Sequence, residues 1–163
     1  MKFIRVLVVL VAIGSCVGCG SSSTRSAAVM GWVVARGGSV TVAGKSLAVK
    51  SLSDIDDGAT EIQRIDLNGQ DITDEDLKNL TVLSDLQFLG LHGAPITDAG
   101  VDALLEIENL KELELSATNI TDAGVVKLAG LTSLEKLTLH NTTVTKKAIE
   151  ELQNKVPGCQ VIQ

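Results

Sequence analysis

Residues 86–109 read LQFLGLHGAPITDAGVDALLEIEN, and residues 110–133 read LKELELSATNITDAGVVKLAGLTS. The two stretches follow one 24-residue pattern and share the string I-T-D-A-G at 96–100 and 120–124. The same frame extends back over residues 62–85 and forward over 134–158. After one extra residue, a partial unit fills 159–163. Each unit opens L-x-x-L-x-L or a conservative variant: Ile62/Ile65/Leu67, Leu86/Leu89/Leu91, Leu110/Leu113/Leu115 and Leu134/Leu137/Leu139. The last two of each set alternate at period two, as in a short strand with one apolar face. An apolar residue follows five places later, at Ile72, Ile96, Ile120 and Val144. Apolar stripes at helical spacing come next: Leu77/Leu80/Leu83, Val101/Leu104/Ile107 and Val125/Leu128/Leu131. They predict one helical segment per unit.

The I-T-D-A-G string then acts as punctuation. Threonine at 73, 97, 121 and 145 suits a helix N-cap. The following aspartate suits the first helical turn, where negative charge is favoured. Gly100 and Gly124 fit a close approach between neighbouring units. The fourth unit replaces Asp with Lys146 and Lys147, which predicts the weakest helix start of the four. Catalytic aspartates do not recur at a structural period, whereas helix starts in a repeat array must.

Four units in register resemble the leucine-rich repeat family, in its bacterial type with T-D-x-G helix starts. The resemblance covers about 100 of the 163 residues. It implies an α/β solenoid with a parallel β-sheet on the concave face and helices on the convex face. One unit cannot bury its own apolar side, so neighbouring units share a core. The family often carries Asn at the ninth position of each unit. Here that position holds Gln70, Ala94, Thr118 and Thr142, so a continuous asparagine ladder is absent; the threonines suit local backbone bonds and Ala94 does not.

The frame sets outward strand positions in columns: Arg64, Phe88, Glu112, Lys136; then Asp66, Gly90, Glu114, Thr138; then Asn68, His92, Ser116, His140. Neighbouring strands lie about 4.8 Å apart, so His92 and His140 are roughly 10 Å apart with Ser116 between them. A nucleophile–base pair needs hydrogen-bond contact, an orienting group and an oxyanion hole. Glu114 is the nearest carboxylate, and no glycine-rich elbow lifts Ser116. Two histidines that far apart cannot share a zinc at about 2.0–2.1 Å each. Asp66 and Glu114 are too loosely spaced for glycosidase carboxylates, and no aromatic sugar platform accompanies them. No metal, nucleotide or other cofactor is expected. Phe88 stands apart on this face, because an outward aromatic is either an interaction anchor or covered by the N-terminal segment.

The chain opens MKFIRVLVVLVAIGSCVGCGSSSTRS. Lys2 and Arg5 precede an apolar run from Val6 to Ile13 that is too short to span a bilayer core of about 30 Å. The segment reads as a signal peptide and resembles the bacterial lipoprotein pattern, in which a small residue precedes a lipidated cysteine. Cys16 after Ile13-Gly14-Ser15 fits that pattern, and Cys19 runs directly into the polar tether Gly20-Ser21-Ser22-Ser23. The tether favours Cys19, with Cys16 as the alternative. Residues 1–19 are then signal segment and 20–25 tether. Removing Lys2 and Arg5 leaves 12 basic against 20 acidic residues, a charge of −8.

Residues 26–61 read as an N-terminal cap over the open end of the repeats 62–163. An amphipathic helix over 26–36 places Val29, Trp32 and Val33 on one face and ends at Gly37-Gly38. A hairpin follows, with strands at 39–42 and 47–50 around Ala43-Gly44-Lys45. The segment GGSVTVAGKS misses the phosphate-loop spacing by one residue and is followed by a strand pattern. Asp54-Ile55-Asp56-Asp57-Gly58 misses the EF-hand spacing and reads as a turn.

Acidic balance without a basic patch disfavours nucleic acid, and one Trp, two Phe and no Tyr leave few stacking platforms. The sequence therefore predicts a non-enzymatic protein–protein interaction module in the bacterial cell envelope, outside the cytoplasm and held by a lipid anchor. Its expected binding residues for a protein partner are Arg64, Asp66, Phe88, His92, Glu112, Glu114, Lys136 and His140. The alternative is a structural envelope component that associates with itself through its terminal strand. A hydrolase using His92, Ser116 and His140 is the weaker third reading.

Overall fold

A computed structural model describes residues 22–44, 48–51 and 61–163. The segment 1–19 with both candidate lipidation cysteines, the first two tether residues, Lys45 and Ser46 of the phosphate-loop-like stretch, Leu47 of the expected second strand and the stretch 54–58 lie outside the described residues. The described chain is a mixed α/β structure. In order it contains α1 (Ser22–Ala35), β1 (Ser39–Val42), β2 (Ile62–Asp66), α2 (Asp74–Leu77), β3 (Phe88–Gly90), α3 (Val101–Leu104), β4 (Glu112–Glu114), α4 (Asp122–Lys127), β5 (Lys136–Thr138), α5 (Lys146–Lys155) and β6 (Gln160–Ile162). One six-stranded sheet runs β1 to β6 in sequence order. β1 pairs antiparallel with β2, and every later pair is parallel.

The 24-residue period is the register of this sheet. Arg64 pairs with Phe88, Phe88 with Glu112, Glu112 with Lys136 and Lys136 with Gln160. Between these outward residues, Ile65, Leu89, Leu113 and Leu137 are at most 1 % exposed, and Leu67, Leu91, Leu115 and Leu139 are fully buried. Burying one such side chain is worth about 1.5–3 kcal/mol. Two per unit far outweigh the weak intrinsic preference of a three-residue strand, so the shared leucine core fixes both the strands and their register.

The helical half of the first three units differs from the expectation. α2 and α3 hold only four residues each, and α4 passes into a 3-10 turn over Leu128–Gly130. The apolar stripes are spaced by exact threes, which fits 3.0 residues per turn better than 3.6. Their backbone bonds follow suit: Leu80 to Leu77 at 2.9 Å, Leu83 to Leu80 at 3.0 Å, Ile107 to Leu104 at 3.0 Å and Leu131 to Leu128 at 2.9 Å. All nine stripe residues are buried.

The T-D pair joins units to one another, a role that local reading of the string did not supply. The Asp74 carboxylate accepts the Thr97 N–H at 2.9 Å and the Thr97 hydroxyl at 2.6 Å. Asp98 accepts the same two groups of Thr121 at 2.8 and 2.5 Å, and Asp122 those of Thr145 at 2.6 and 2.8 Å. Each aspartate thus clasps the threonine of the next unit. Thr121 and Thr145 also cap, accepting from the Ala123 N–H at 3.3 Å and the Ala148 N–H at 3.4 Å, whereas α3 begins later than expected, with Gly100 and not Thr97 at its N-cap. A Cβ added at Gly100 or Gly124 would fall on the carboxylate of Asp74 or Asp98, so these glycines make room for the clasp. At Thr73, where no earlier unit supplies an aspartate, Asp76 takes over and accepts both the N–H and the hydroxyl at 3.0 and 2.9 Å.

Three further expectations are corrected. α5 has ten residues and is the longest helix among the repeats, despite Lys146 and Lys147 at its start. Asp122 of the previous unit supplies the negative charge there, and the Thr145 N–H, the Thr145 hydroxyl and the nearby Lys147 charge hold its carboxyl below the ordinary range. The extra residue before the fifth unit is taken back before the strand: Cys159 bonds Val156 as Leu134 bonds Leu131, yet Leu137 already pairs with Val161. Finally, α1 begins at Ser22, inside the stretch read as tether.

The hairpin expected over 39–42 and 47–50 has β1 as its first strand and, among the described residues, a single bridge at Val49 in place of the second. Val29, Met30 and Val33 are buried, and Trp32 is half-buried against the same core. Val40 bonds Val49 in both directions on the side of β1 away from β2, at 3.0 and 2.7 Å. Arg36 lies over the Trp32 ring at 4.8 Å and pairs with Asp76 at 2.8 Å, tying α1 to the first unit.

Candidate functional site

The outward face of the sheet collects the sequence-selected residues. The leucine alternation turns Arg64, Phe88, Glu112 and Lys136 to one side, and the next outward positions are Asp66, Gly90, Glu114 and Thr138. The two columns are therefore real neighbours, in the order the period gives. Glu112 and Lys136 sit opposite one another on β4 and β5, and neither enters an ion pair among the described residues. Below them, Lys111 pairs with Glu135 at 3.0 Å.

Phe88 is half-buried, and its cover is Arg64, whose guanidinium lies 3.2 Å from the ring centroid. Strand β1 of the N-terminal segment is on the far side of β2, with Thr41 opposite Arg64. Arg64 itself is exposed. The pair thus presents a flat cationic surface backed by an aromatic ring, an arrangement worth about 0.5–1 kcal/mol at an exposed site.

The third column forms the strand-end edge. Beyond each strand the chain turns through a left-handed residue: Gly69, Gly93, Ala117 and Asn141, with φ of 72°, 74°, 54° and 55°. The ladder continues past the strands as the Gly69 N–H bonds His92 at 2.7 Å, Gly93 bonds Ser116 at 2.9 Å and Ala117 bonds His140 at 2.8 Å. Side chains join it. The Asn68 Oδ1 accepts the His92 N–H at 2.7 Å, and the Ser116 Oγ accepts the His140 N–H at 3.0 Å. Glu114 accepts the Ser116 N–H at 2.9 Å, and Asp66 accepts the Asn68 N–H at 3.1 Å. Thr118 and Thr142 donate to the carbonyls of Leu115 and Leu139 at 2.6 and 2.8 Å, in the local manner their positions suggested.

Ser116 is 2 % exposed, and its oxygen is engaged by a backbone donor of the next unit. The imidazoles of His92 and His140 are exposed on either side. Together with Asn68, Glu114 and Asn141 they border an open depression of about 570 Å³. Among the described residues, no three His, Cys, Asp or Glu side chains are placed to hold a metal ion.

Asn68 and Gly90 were not among the residues selected as binding groups. A Cβ at Gly90 would press on the Asn68 carboxamide, so this glycine admits the side chain that secures the His92 turn. The available signal was a glycine inside a strand pattern, which marks a close approach. Cys159 is a buried free thiol, and burial raises its pKa. No helix among the described residues is long and apolar enough to cross a membrane. Compared with protein-family models and with curated proteins, the chain matches none.

Proposed function

We propose that this chain is a leucine-rich repeat solenoid of the bacterial T-D-x-G type, tethered by lipid at Cys19 (or at Cys16) to the cell envelope, that binds a protein partner through its concave strand face. The observation that carries the reading is the outward face itself. Five parallel strands in one 24-residue register hold Arg64 on Phe88, Glu112, Glu114 and Lys136 in a row beside an exposed pair of histidines. Charged and aromatic groups on an outward face are what a protein interface recruits. Mixed charge suits a polar partner surface, and the small number of units suits modest affinity. The burial of Ser116, 2 % exposed, supports binding over hydrolysis, because the attacking group of a hydrolase must be reachable by its substrate and its base.

Affinity capture from an envelope extract tests the reading. The intact domain should retain a partner that the Arg64→Glu/Phe88→Ala/Glu114→Lys variant, folded and assayed below its own melting transition, loses. Equal recovery by both would overturn it. For the anchor, globomycin should cause a larger precursor to accumulate; release into the medium with no change in mobility would refute lipidation. The second reading, self-association, draws on β6, whose outer edge pairs with no strand among the described residues. Concentration-dependent sedimentation would favour it.

A further inference from the structure

The lipid anchor and the position of α1 together set the orientation of the domain on the membrane. This step rests on the proposed lipidation. Cys19 and Ser22 are separated by three peptide links, which span at most about 11 Å; from Cys16 the limit is about 22 Å. α1 is no spacer, because Val29, Met30 and Val33 are buried in the shared core. The anchor therefore holds the body of the domain close to the bilayer by the start of α1.

The direction of α1 then decides which edge of the sheet is near. Arg25 and Ser26, early in the helix, border a cleft with Glu61, Ile62, Ser84 and Asp85, which lie at the starts of β2 and β3. At its other end, Arg36 bonds the Asp71 carbonyl at 3.4 Å and pairs with Asp76. A Cβ at Gly38 would press on the Asp66 carbonyl and Leu67, at the end of β2. α1 thus runs in the direction of the parallel strands. Its fourteen residues rise about 21 Å at 1.5 Å each.

The surface favours standing upright over lying flat. Val82, 50 % exposed, is the one exposed large apolar side chain among the described residues, and it lines the same cleft as the exposed Arg25, near the start of α1. The cleft also holds the carboxylates of Glu61 and Asp85, so the exposed apolar side chain, and not net charge, is what suits the headgroup region there. The mature chain as a whole is acidic and gains nothing from lying flat on anionic headgroups.

We propose that the anchored domain stands with its strand starts toward the bilayer and its strand-end depression, bordered by His92, Glu114 and His140, turned away. Its partner is then a water-side protein or protein domain that approaches from the aqueous compartment, and neither lipid nor a bilayer-embedded segment meets this site.

Single cysteines at Ser84 and Asn119 test the orientation. Cys159 is buried and the anchor cysteine is blocked by its lipid; if Cys16 is the anchor, Cys19→Ser removes the remaining thiol, so each labelled variant reports one position. The lipidated full domain is reconstituted in phosphatidylethanolamine–phosphatidylglycerol vesicles containing a nitroxide-headgroup lipid, and quenching of a fluorophore at each site is read. The Ser84→Cys label should be quenched several-fold more than the Asn119→Cys label. Equal or reversed quenching in protein that floats with the vesicles overturns the orientation alone. Protein that does not float overturns the anchor, and the orientation falls with it.

Discussion

Ala117 takes a φ of 54° at the place where the first two units put Gly69 and Gly93. A left-handed backbone costs an L-residue about 1–2 kcal/mol, and glycine avoids that cost while losing more entropy on folding. The difference favours Ala117→Gly by about 0.5–1 kcal/mol, which chemical denaturation should show as a raised midpoint at constant slope. Asn141, at 55° in the fourth unit, tolerates the conformation better and should gain less from the same change. The turn was legible in outline, since glycine at the same place in two units marks it. That alanine would be held there was not legible, because the demand comes from the sheet register around it. Phe88 is the opposite case. Its column places Arg64 beside it, so the stacking partner stood in the sequence, yet an arginine chooses between an aromatic face and a carboxylate only in three dimensions. Asp66 is the carboxylate it passes over.

At the scale of the elements, the clasp between T-D pairs carries more than the string suggests. Asp98 and Thr121 are linked by two charge-assisted bonds, and such bonds contribute about 1.5–3 kcal/mol when shielded and less when exposed. Asp98→Ala should therefore cost about 1–2 kcal/mol. Thr121→Ala should cost a similar amount, because it also removes a cap. The double variant should cost clearly less than the sum, with a coupling of about 1 kcal/mol measured in a double-mutant cycle. Additive losses would mean the clasp is incidental. Asp122 adds a pH dependence of known sign. Its folded pKa lies below the ordinary carboxylate value. The stabilisation is thus complete above about pH 4 and is lost as pH falls through the depressed value. Asp122→Asn should be less stable than the parent at neutral pH and converge on it in acid. The sequence showed which residues recur but not what each one holds. An aspartate next to a threonine reads as a local pair, whereas the bond runs to the threonine 23 residues further on.

For the molecule as a whole, the strand side was written more openly than the helix side. Alternating leucines allow only one face inward, and a constant period of 24 then aligns every strand. Spacing by threes admits both an α-helix and a 3-10 path, and the packed core selects mostly the tighter one. The serine-rich stretch before α1 illustrates a similar limit, since Ser22–Ala35 is helical and its polar start reads as linker by composition. These distinctions matter for the proposed solenoid, because its two sides are assigned different duties. In the proposed function the T-D side holds units together and the outward strand face meets a partner. The dissociation constant of a captured partner, measured for the parent, for Thr121→Ala and for the Arg64→Glu/Phe88→Ala/Glu114→Lys variant below all three melting transitions, tests that division most directly. The parent and Thr121→Ala should agree within about twofold, and the triple variant should weaken by at least tenfold, about 1.4 kcal/mol. A loss with Thr121→Ala as large as that of the triple variant, or undiminished binding by the triple variant, would contradict the account.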